Sequence, residues 1–161
     1  MSRKTYVYKS FPGLRAALVQ LPHEAVLDGE ILCLDGDARP QFDRLFYGHD
    51  ERYFYAFDVS DLDGRDLRHL PLIERKRILR RVVPRWYSRL LYVNHIQGCG
   101  IDLFREVCRC DLEGVVAKWK HRTYLSGDVT SWVKIRNPSY SQSVDRGERF
   151  QRKPQSRVYA A

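Results

Sequence analysis

Tyr53-Phe54-Tyr55-Ala56-Phe57-Asp58-Val59, running on into Asp61-Leu62-Asp63-Gly64-Arg65-Asp66, is the stretch that decides the fold class. Aromatic and β-branched side chains suit a pleated, half-buried surface, and the Asp-Gly pair that follows breaks it, so the stretch reads as a strand entering an exposed turn. Upstream, Ala25 to Leu34 is strand-like at both ends but carries Asp28-Gly29-Glu30 in its middle. An apolar strand would not choose carboxylates unless they found partners. Downstream, Leu90 to Val93 and Gly114 to Trp119 read as further strands. Trp132-Val133-Lys134-Ile135-Arg136 alternates apolar and basic residues, which puts Lys134 and Arg136 on one face.

Helical patterns fall between these strands. Pro12 opens one through Leu14, Ala17 and Leu18, and Ile101 to Cys110 forms another. Pro71 opens a third, in which Leu72, Ile73, Leu79, Val82 and Val83 alternate with Arg75, Lys76, Arg77, Arg80 and Arg81. Charge runs of this kind usually face water, so this basic face is expected to be solvated. Thr5 to Lys9 reads as a short strand, Asp35-Gly36-Asp37 as a turn, and Phe42 to Tyr47 as one or two helical turns. The mixture predicts an α+β fold, antiparallel sheets with flanking helices.

The 161 residues suit one domain with tails, expected at 1–140, followed by a basic, aperiodic tail at 141–161 that carries Arg146, Arg149, Arg152, Lys153 and Arg157. A composition 43% hydrophobic and 30% charged excludes a disordered chain. No apolar run approaches the roughly 20 residues of a membrane span, and the N-terminus lacks a secretory apolar core, so a cytoplasmic protein with no membrane partner is expected. Cys33, Cys99, Cys108 and Cys110 are too few and too unevenly placed for a disulfide scaffold, and with His95 they match no paired zinc spacing, so reduced thiols are expected. The net charge of +8 favours a polyanionic partner, nucleic acid first, because cations that neutralise phosphates gain from counterion release.

Three features are hard to assign to folding alone: Glu30 inside an apolar strand, Glu113 immediately before another, and the Lys134/Arg136 pair on a third. Carboxylates can hold a divalent cation directly or through water, and two cations on one strand face can grip phosphate oxygens. A carboxylate merely paired with an arginine is the plainer reading of either glutamate taken alone.

Taken in order, Leu27-Asp28-Gly29-Glu30, Tyr55-Ala56-Phe57-Asp58, Leu112-Glu113-Gly114-Val115-Val116-Ala117-Lys118 and Trp132-Val133-Lys134-Ile135-Arg136-Asn137-Pro138 resemble the ATP-dependent DNA ligases, most closely the bacterial repair ligases. The resemblance runs from about Phe11 to Tyr140 and takes in Leu62-Asp63-Gly64-Arg65-Asp66-Leu67 and Asn94-His95-Ile96-Gln97-Gly98. It implies the nucleotidyltransferase fold of a ligase adenylation domain, ATP-grasp-like, with ATP as AMP donor, Mg2+ or Mn2+ as metal, nicked double-stranded DNA as partner and a setting in repair and recombination beside other repair proteins. Laid on this sequence, it implies that Glu30 and Glu113 lie near the nucleotide sugar and the metal. Phe57 would stack on adenine, Lys134 and Arg136 would contact the α-phosphate, and Lys118 would assist. The family often has lysine where Arg136 stands; arginine keeps the charge but presents a planar fork. Phe57 also reads as a core aromatic, Asp58 as a cap of the following turn, and Tyr124 as part of a pocket-shaping loop.

The pattern departs from the family at one point. Its nucleophile is a lysine in Lys-x-Asp-Gly, yet the Asp-Gly pairs here begin at Asp28, Asp35 and Asp63, and none has lysine two positions earlier; Lys4 and Lys9 lack the motif. The adenylation domain is therefore expected to be incomplete at its N-terminal side, and self-adenylation by this chain alone is not expected. The alternatives are a non-catalytic nucleotide- or DNA-binding remnant, or an RNA ligase or mRNA-capping relative. The Leu-Asp-Gly-Arg-Asp-Leu stretch argues against the last of these.

Overall fold

In the computed structural model, residues 11–36, 40–41, 51–85, 88–125 and 131–141 are described. The expectations for Thr5 to Lys9, Asp37, Phe42 to Tyr47 and the tail beyond residue 141 lie outside them. In chain order the elements are α1 (Pro12–Val19), β1 (Ala25–Cys33), β2 (Arg52–Leu62), β3 (Arg65–Asp66), α2 (Leu72–Val82), β4 (Leu90–Tyr92), α3 (Gly100–Arg109), β5 (Gly114–Lys118) and β6 (Trp132–Arg136). They fall into two units: residues 1–94 with 120–124, and residues 95–119 with 125–161.

The aromatic strand is the centre of the first unit. β2 pairs antiparallel with β1 along its whole length, with β3 across the Asp63-Gly64 turn, and parallel with β4. One parallel pairing thus joins the expected antiparallel ones. Asp63 and Gly64 both take positive φ, and the Asp61 carboxylate accepts the Gly64 N–H at 3.1 Å, which is how an Asp-Gly turn is closed. Ala56, Val59, Leu67, Leu79, Val83 and Leu90 form the buried cluster between sheet and helix.

The register of β1 against β2 is broken twice. Asp28 pairs with Asp58 and Gly29 with Ala56, so Phe57 is left as the extra residue of a bulge. Leu27 pairs with Val59 and Val26 with Asp61, so Ser60 is another. At the first bulge the strands close tightly: a Cβ on Gly29 would stand 2.5 Å from the Phe54 ring and 2.6 Å from the Tyr55 carbonyl oxygen, so only glycine fits there.

Helix α2 corrects the expectation of a solvated basic face. Arg75 and Lys76 are buried with Leu72, Leu79 and Val82, whereas Arg77, Arg80 and Arg81 are exposed. The helix has no side-chain N-cap; its leading N–H groups, on Leu72 and Ile73, donate instead to the carbonyls of Arg122 and Lys120 at 2.9 and 3.0 Å.

The second unit is built on the β5–β6 hairpin, with α3 packed on β5. Asn137 is buried and ties the end of β6 to the start of β5. Its backbone N–H donates to the Glu113 carbonyl at 2.8 Å and its side-chain amide to that of Leu112 at 3.0 Å. Among the described residues, no helix is long and apolar enough to cross a membrane.

Candidate nucleotide-handling residues

In an antiparallel pair, residues directly opposite point to the same side of the sheet. Gly114 stands opposite Arg136, Val116 opposite Lys134 and Lys118 opposite Trp132, so all three cations, Lys118, Lys134 and Arg136, share one face of the β5–β6 hairpin. Lys134 Nζ donates to Glu113 Oε1 at 2.5 Å, with both side chains partly exposed. Lys118 Nζ lies 3.5 Å from the centroid of the Trp132 indole, which holds the cation against the aromatic face. Arg136 is exposed and, among the described residues, makes no ion pair.

Gly114 makes this pairing possible. Its φ is +149°, and a Cβ there would come within 2.2 Å of the Ile135 carbonyl oxygen. The Glu-Gly sequence at 113–114 therefore combines a carboxylate with the one residue that lets the two strands close beside it.

Glu30 and Phe57 belong to the first unit. Glu30 is exposed on β1 and, among the described residues, has no ion pair, contrary to the expectation that a carboxylate in this strand must find one. Its neighbour Asp28 is the one with a partner: the Tyr124 hydroxyl donates to Asp28 Oδ2 at 3.4 Å. Phe57 is half-buried at the bulge. Bulges re-aim a side chain out of the regular alternation, and Phe57 is absent from the buried cluster that contains Ala56 and Val59.

Asp58 is fully buried, where Arg75 meets it with both arms of its guanidinium, Nε to Oδ1 at 2.8 Å and Nη2 to Oδ2 at 2.7 Å. It does not cap the following turn, a role taken by Asp61. Arg75 also donates to the Leu70 carbonyl at 2.6 Å and lies 5.4 Å from the Tyr124 ring centroid. Asp28, Tyr124, Arg75 and Asp58 thus form a continuous polar chain beneath the Asp28-Gly29-Glu30 motif. Burial, with the Asp28 and Asp58 carboxylates adding to it, raises the Tyr124 pKa, which keeps its hydroxyl protonated and donating.

Lys76 is the other buried cation. Its ammonium donates to the Val93 carbonyl at 2.5 Å and lies 4.3 Å from the Tyr92 ring centroid, and burial lowers its pKa to about 8. Neither Arg75 nor Lys76 was expected inside, although helical spacing carried the signal: positions 72, 75, 76 and 79 lie on one side of a helix.

No disulfide joins any of the four cysteines; Cys33 is buried and Cys99 and Cys110 are exposed. Among the described residues, no three His, Cys, Asp or Glu side chains are grouped to hold a metal ion.

Comparison with known proteins bears on residues 2–136, which match the family model described as ATP dependent DNA ligase domain. The multifunctional non-homologous end joining protein LigD of Mycolicibacterium smegmatis is 34% identical over 130 residues, 79% of this chain and 16% of that protein. The corresponding DNA repair protein LigD of Mycobacterium tuberculosis strain H37Rv is 33% identical over 147 residues, 89% of this chain and 19% of that protein. The chain therefore spans less than a fifth of the length of these relatives. The crystal structure of the ligase domain from M. tuberculosis LigD superposes with a TM-score of 0.67 at 31% identity, covering 82% of this chain and 43% of that one. A mycobacterial DNA ligase D complexed with ATP and MES gives 0.66 at 29%, covering 82% and 44%.

Proposed function

We propose that this chain, which belongs to the ATP-dependent DNA ligase domain family, binds ATP as part of the adenylation machinery that seals nicks in double-stranded DNA during repair and recombination. The observation that carries this reading is the common face of Lys118, Lys134 and Arg136, with the Glu113 carboxylate bonded to Lys134. Two cations at alternate positions of one strand suit an α-phosphate whose charge must be stabilised during transfer. Taken unit by unit, the first offers the Phe57 ring as a surface of the kind that stacks on adenine and the Glu30 carboxylate for the sugar, and the second offers Glu113 as a carboxylate for the metal.

A divalent ion of the Mg2+ or Mn2+ kind fits this donor set. Such ions take hard oxygen ligands and are commonly bound by one or two carboxylates together with substrate phosphates. Glu113, beside Lys134 in the second unit, would hold it, and when bound it would neutralise charge on the phosphates. In this chain Lys134 already balances Glu113, so a phosphate drawing on Lys134 would leave that carboxylate available.

No Lys-x-Asp-Gly is present, so the reading is ATP binding without covalent AMP on this stretch of polypeptide. The test is equilibrium binding of ATP with Mg2+, beside incubation with α-labelled ATP and a denaturing gel. Saturable ATP binding that Lys134→Ala weakens, with no label retained on the protein, is the expected result. A folded protein with no affinity for ATP would sink the reading. Retained label would instead move the nucleophile to a lysine outside the family motif, Lys4 or Lys9 first.

A further inference from the structure

The Leu62-Asp63-Gly64-Arg65-Asp66-Leu67 stretch has no part in the nucleotide residues, yet it forms one wall of a cavity of about 550 Å³ in the first unit. Helix α2 also lines it, through Ile78, Arg81 and Val82. Leu62, Leu67 and Ile78 give the cavity an apolar floor, while the arginines that line it, Arg65 and Arg81, are both exposed.

The two arginines differ in charge pairing from six others of the chain. Arg68, Arg75, Arg77, Arg89, Arg105 and Arg109 each hold a carboxylate. Arg65 and Arg81 make no ion pair among the described residues, although Asp63 lines the same cavity. That carboxylate is occupied elsewhere: His23 Nδ1 lies 2.9 Å from one oxygen, and the Glu24 N–H donates to the other at 2.9 Å. The hairpin thus draws its own acid away from the guanidinium groups and leaves them to an outside anion.

We propose that this cavity is a DNA contact apart from the nucleotide residues, in which Arg65 and Arg81 grip a backbone phosphate of the duplex while the adjoining sugar lies against the apolar floor. The inference rests on the reading that the chain handles DNA. Guanidinium forks match phosphate oxygens, and the apolar floor suits a deoxyribose better than a fully hydrated small anion. It assigns Arg65, the cation of the Asp-Gly-Arg turn, to holding DNA in register, since phosphate contacts position a protein on the duplex without reading its sequence.

The test is fluorescence anisotropy of a labelled nicked duplex with the full chain, titrated at several salt concentrations. Wild type is compared with the Arg65→Ala/Arg81→Ala double variant and with Arg105→Ala/Arg109→Ala, which removes the same charge from exposed ion pairs on α3. ATP affinity and a thermal melt of each variant show that the nucleotide residues and the fold are intact. The cavity variant is expected to bind DNA about fivefold or more weakly, with a salt dependence shallower by about one to two phosphate contacts and ATP affinity unchanged. Equal losses in both double variants would mean diffuse charge only and would overturn the proposal. So would wild-type DNA affinity in the cavity variant, leaving the DNA reading itself in place. A wild-type chain that binds ATP but no duplex at any salt would sink the DNA reading and the cavity with it.

Discussion

Arg75 reaches from α2 to Asp58 on β2 and binds both oxygens of a carboxylate that has no exposure to solvent, while its own side chain is 1% exposed. Two charges so placed hold helix and sheet in one arrangement, because either alone would be left uncompensated in the core. Arg75→Ala is therefore expected to destabilise the protein by about 3–5 kcal/mol, whereas replacing both partners together, Arg75→Met with Asp58→Leu, is expected to cost much less. Urea unfolding of the two variants measures the difference. Equal losses would mean that the ion pair is incidental.

Lys134 should behave in the opposite way. Its pair with Glu113 is half open to water, and exposed pairs contribute about 0–1 kcal/mol, so Lys134→Ala is expected to leave the melting curve nearly in place. On the proposed function the same change would remove a charge-assisted contact to phosphate, and it is expected to weaken ATP binding about tenfold or more. Calorimetric titration beside a thermal melt separates the two effects, and a large loss of stability would recast Lys134 as a structural residue.

The bulge gives Phe57 its own prediction. Stacking of a base on an aromatic ring is worth about 1–3 kcal/mol, so Phe57→Leu is expected to lower ATP affinity about tenfold while Phe57→Trp retains it. A core aromatic would show the reverse, with tryptophan disrupting the fold and leucine tolerated; chemical denaturation of both variants distinguishes the cases.

Gly114→Ala is expected to disturb the hairpin, since the new methyl group would lie 2.2 Å from the Ile135 oxygen at a φ that alanine avoids. A cost of about 1–3 kcal/mol is reasonable for such overpacking, with a parallel loss of ATP binding. Gly36→Ala, at a position where a Cβ meets nothing within 4 Å, is the matching control.

Stability should also depend on pH through Lys76. Its folded pKa is lowered to about 8 from 10.5 by burial, so between these values the unfolded chain binds the proton and the folded chain does not. Stability from this group therefore rises as pH rises from about 8 towards 10, the penalty of a buried ammonium being relieved. Above 10 the tyrosines oppose it, because burial raises the pKa of Tyr92 and Tyr124 and the folded state then holds the extra protons. Lys76→Met is expected to flatten the rise between 8 and 10 in a series of urea midpoints. An unchanged slope would assign it to other groups.

Much of this architecture could be read from residue pattern. β6 falls at Trp132–Arg136 as expected, and β2, α2 and β5 lie within a few residues of their expected bounds, because each carries a strong period or a breaker at its end. The shared face of Lys134 and Arg136 followed from strand alternation alone. The bulge at Phe57 did not, since the extra residue is defined by the register of β1 and nothing in Tyr55-Ala56-Phe57-Asp58 marks it. The burial of Arg75 and Lys76 is masked by the basic run around them, whose charge points to water although the spacing from Leu72 to Leu79 places both on the apolar side. The partners of Asp28 and of the α2 N-terminus lie roughly 50 to 100 residues away in sequence, a distance that local reading does not bridge.

Those distant partners bear on how the protein is made. Lys120 and Arg122 supply the carbonyls that receive the first N–H groups of α2, and Tyr124 joins the polar chain that ends on Asp58. The first unit is therefore incomplete when residue 94 leaves the ribosome. Its helix start stays open, and its buried arginine lacks a neighbour, until the twenty-five residues 95–119 of the second unit and the first unit's own 120–124 have been synthesised. A nascent chain arrested between these points would carry a folded sheet with a loose helix, and limited proteolysis of such arrested chains would find α2 cleavable until Tyr124 has emerged.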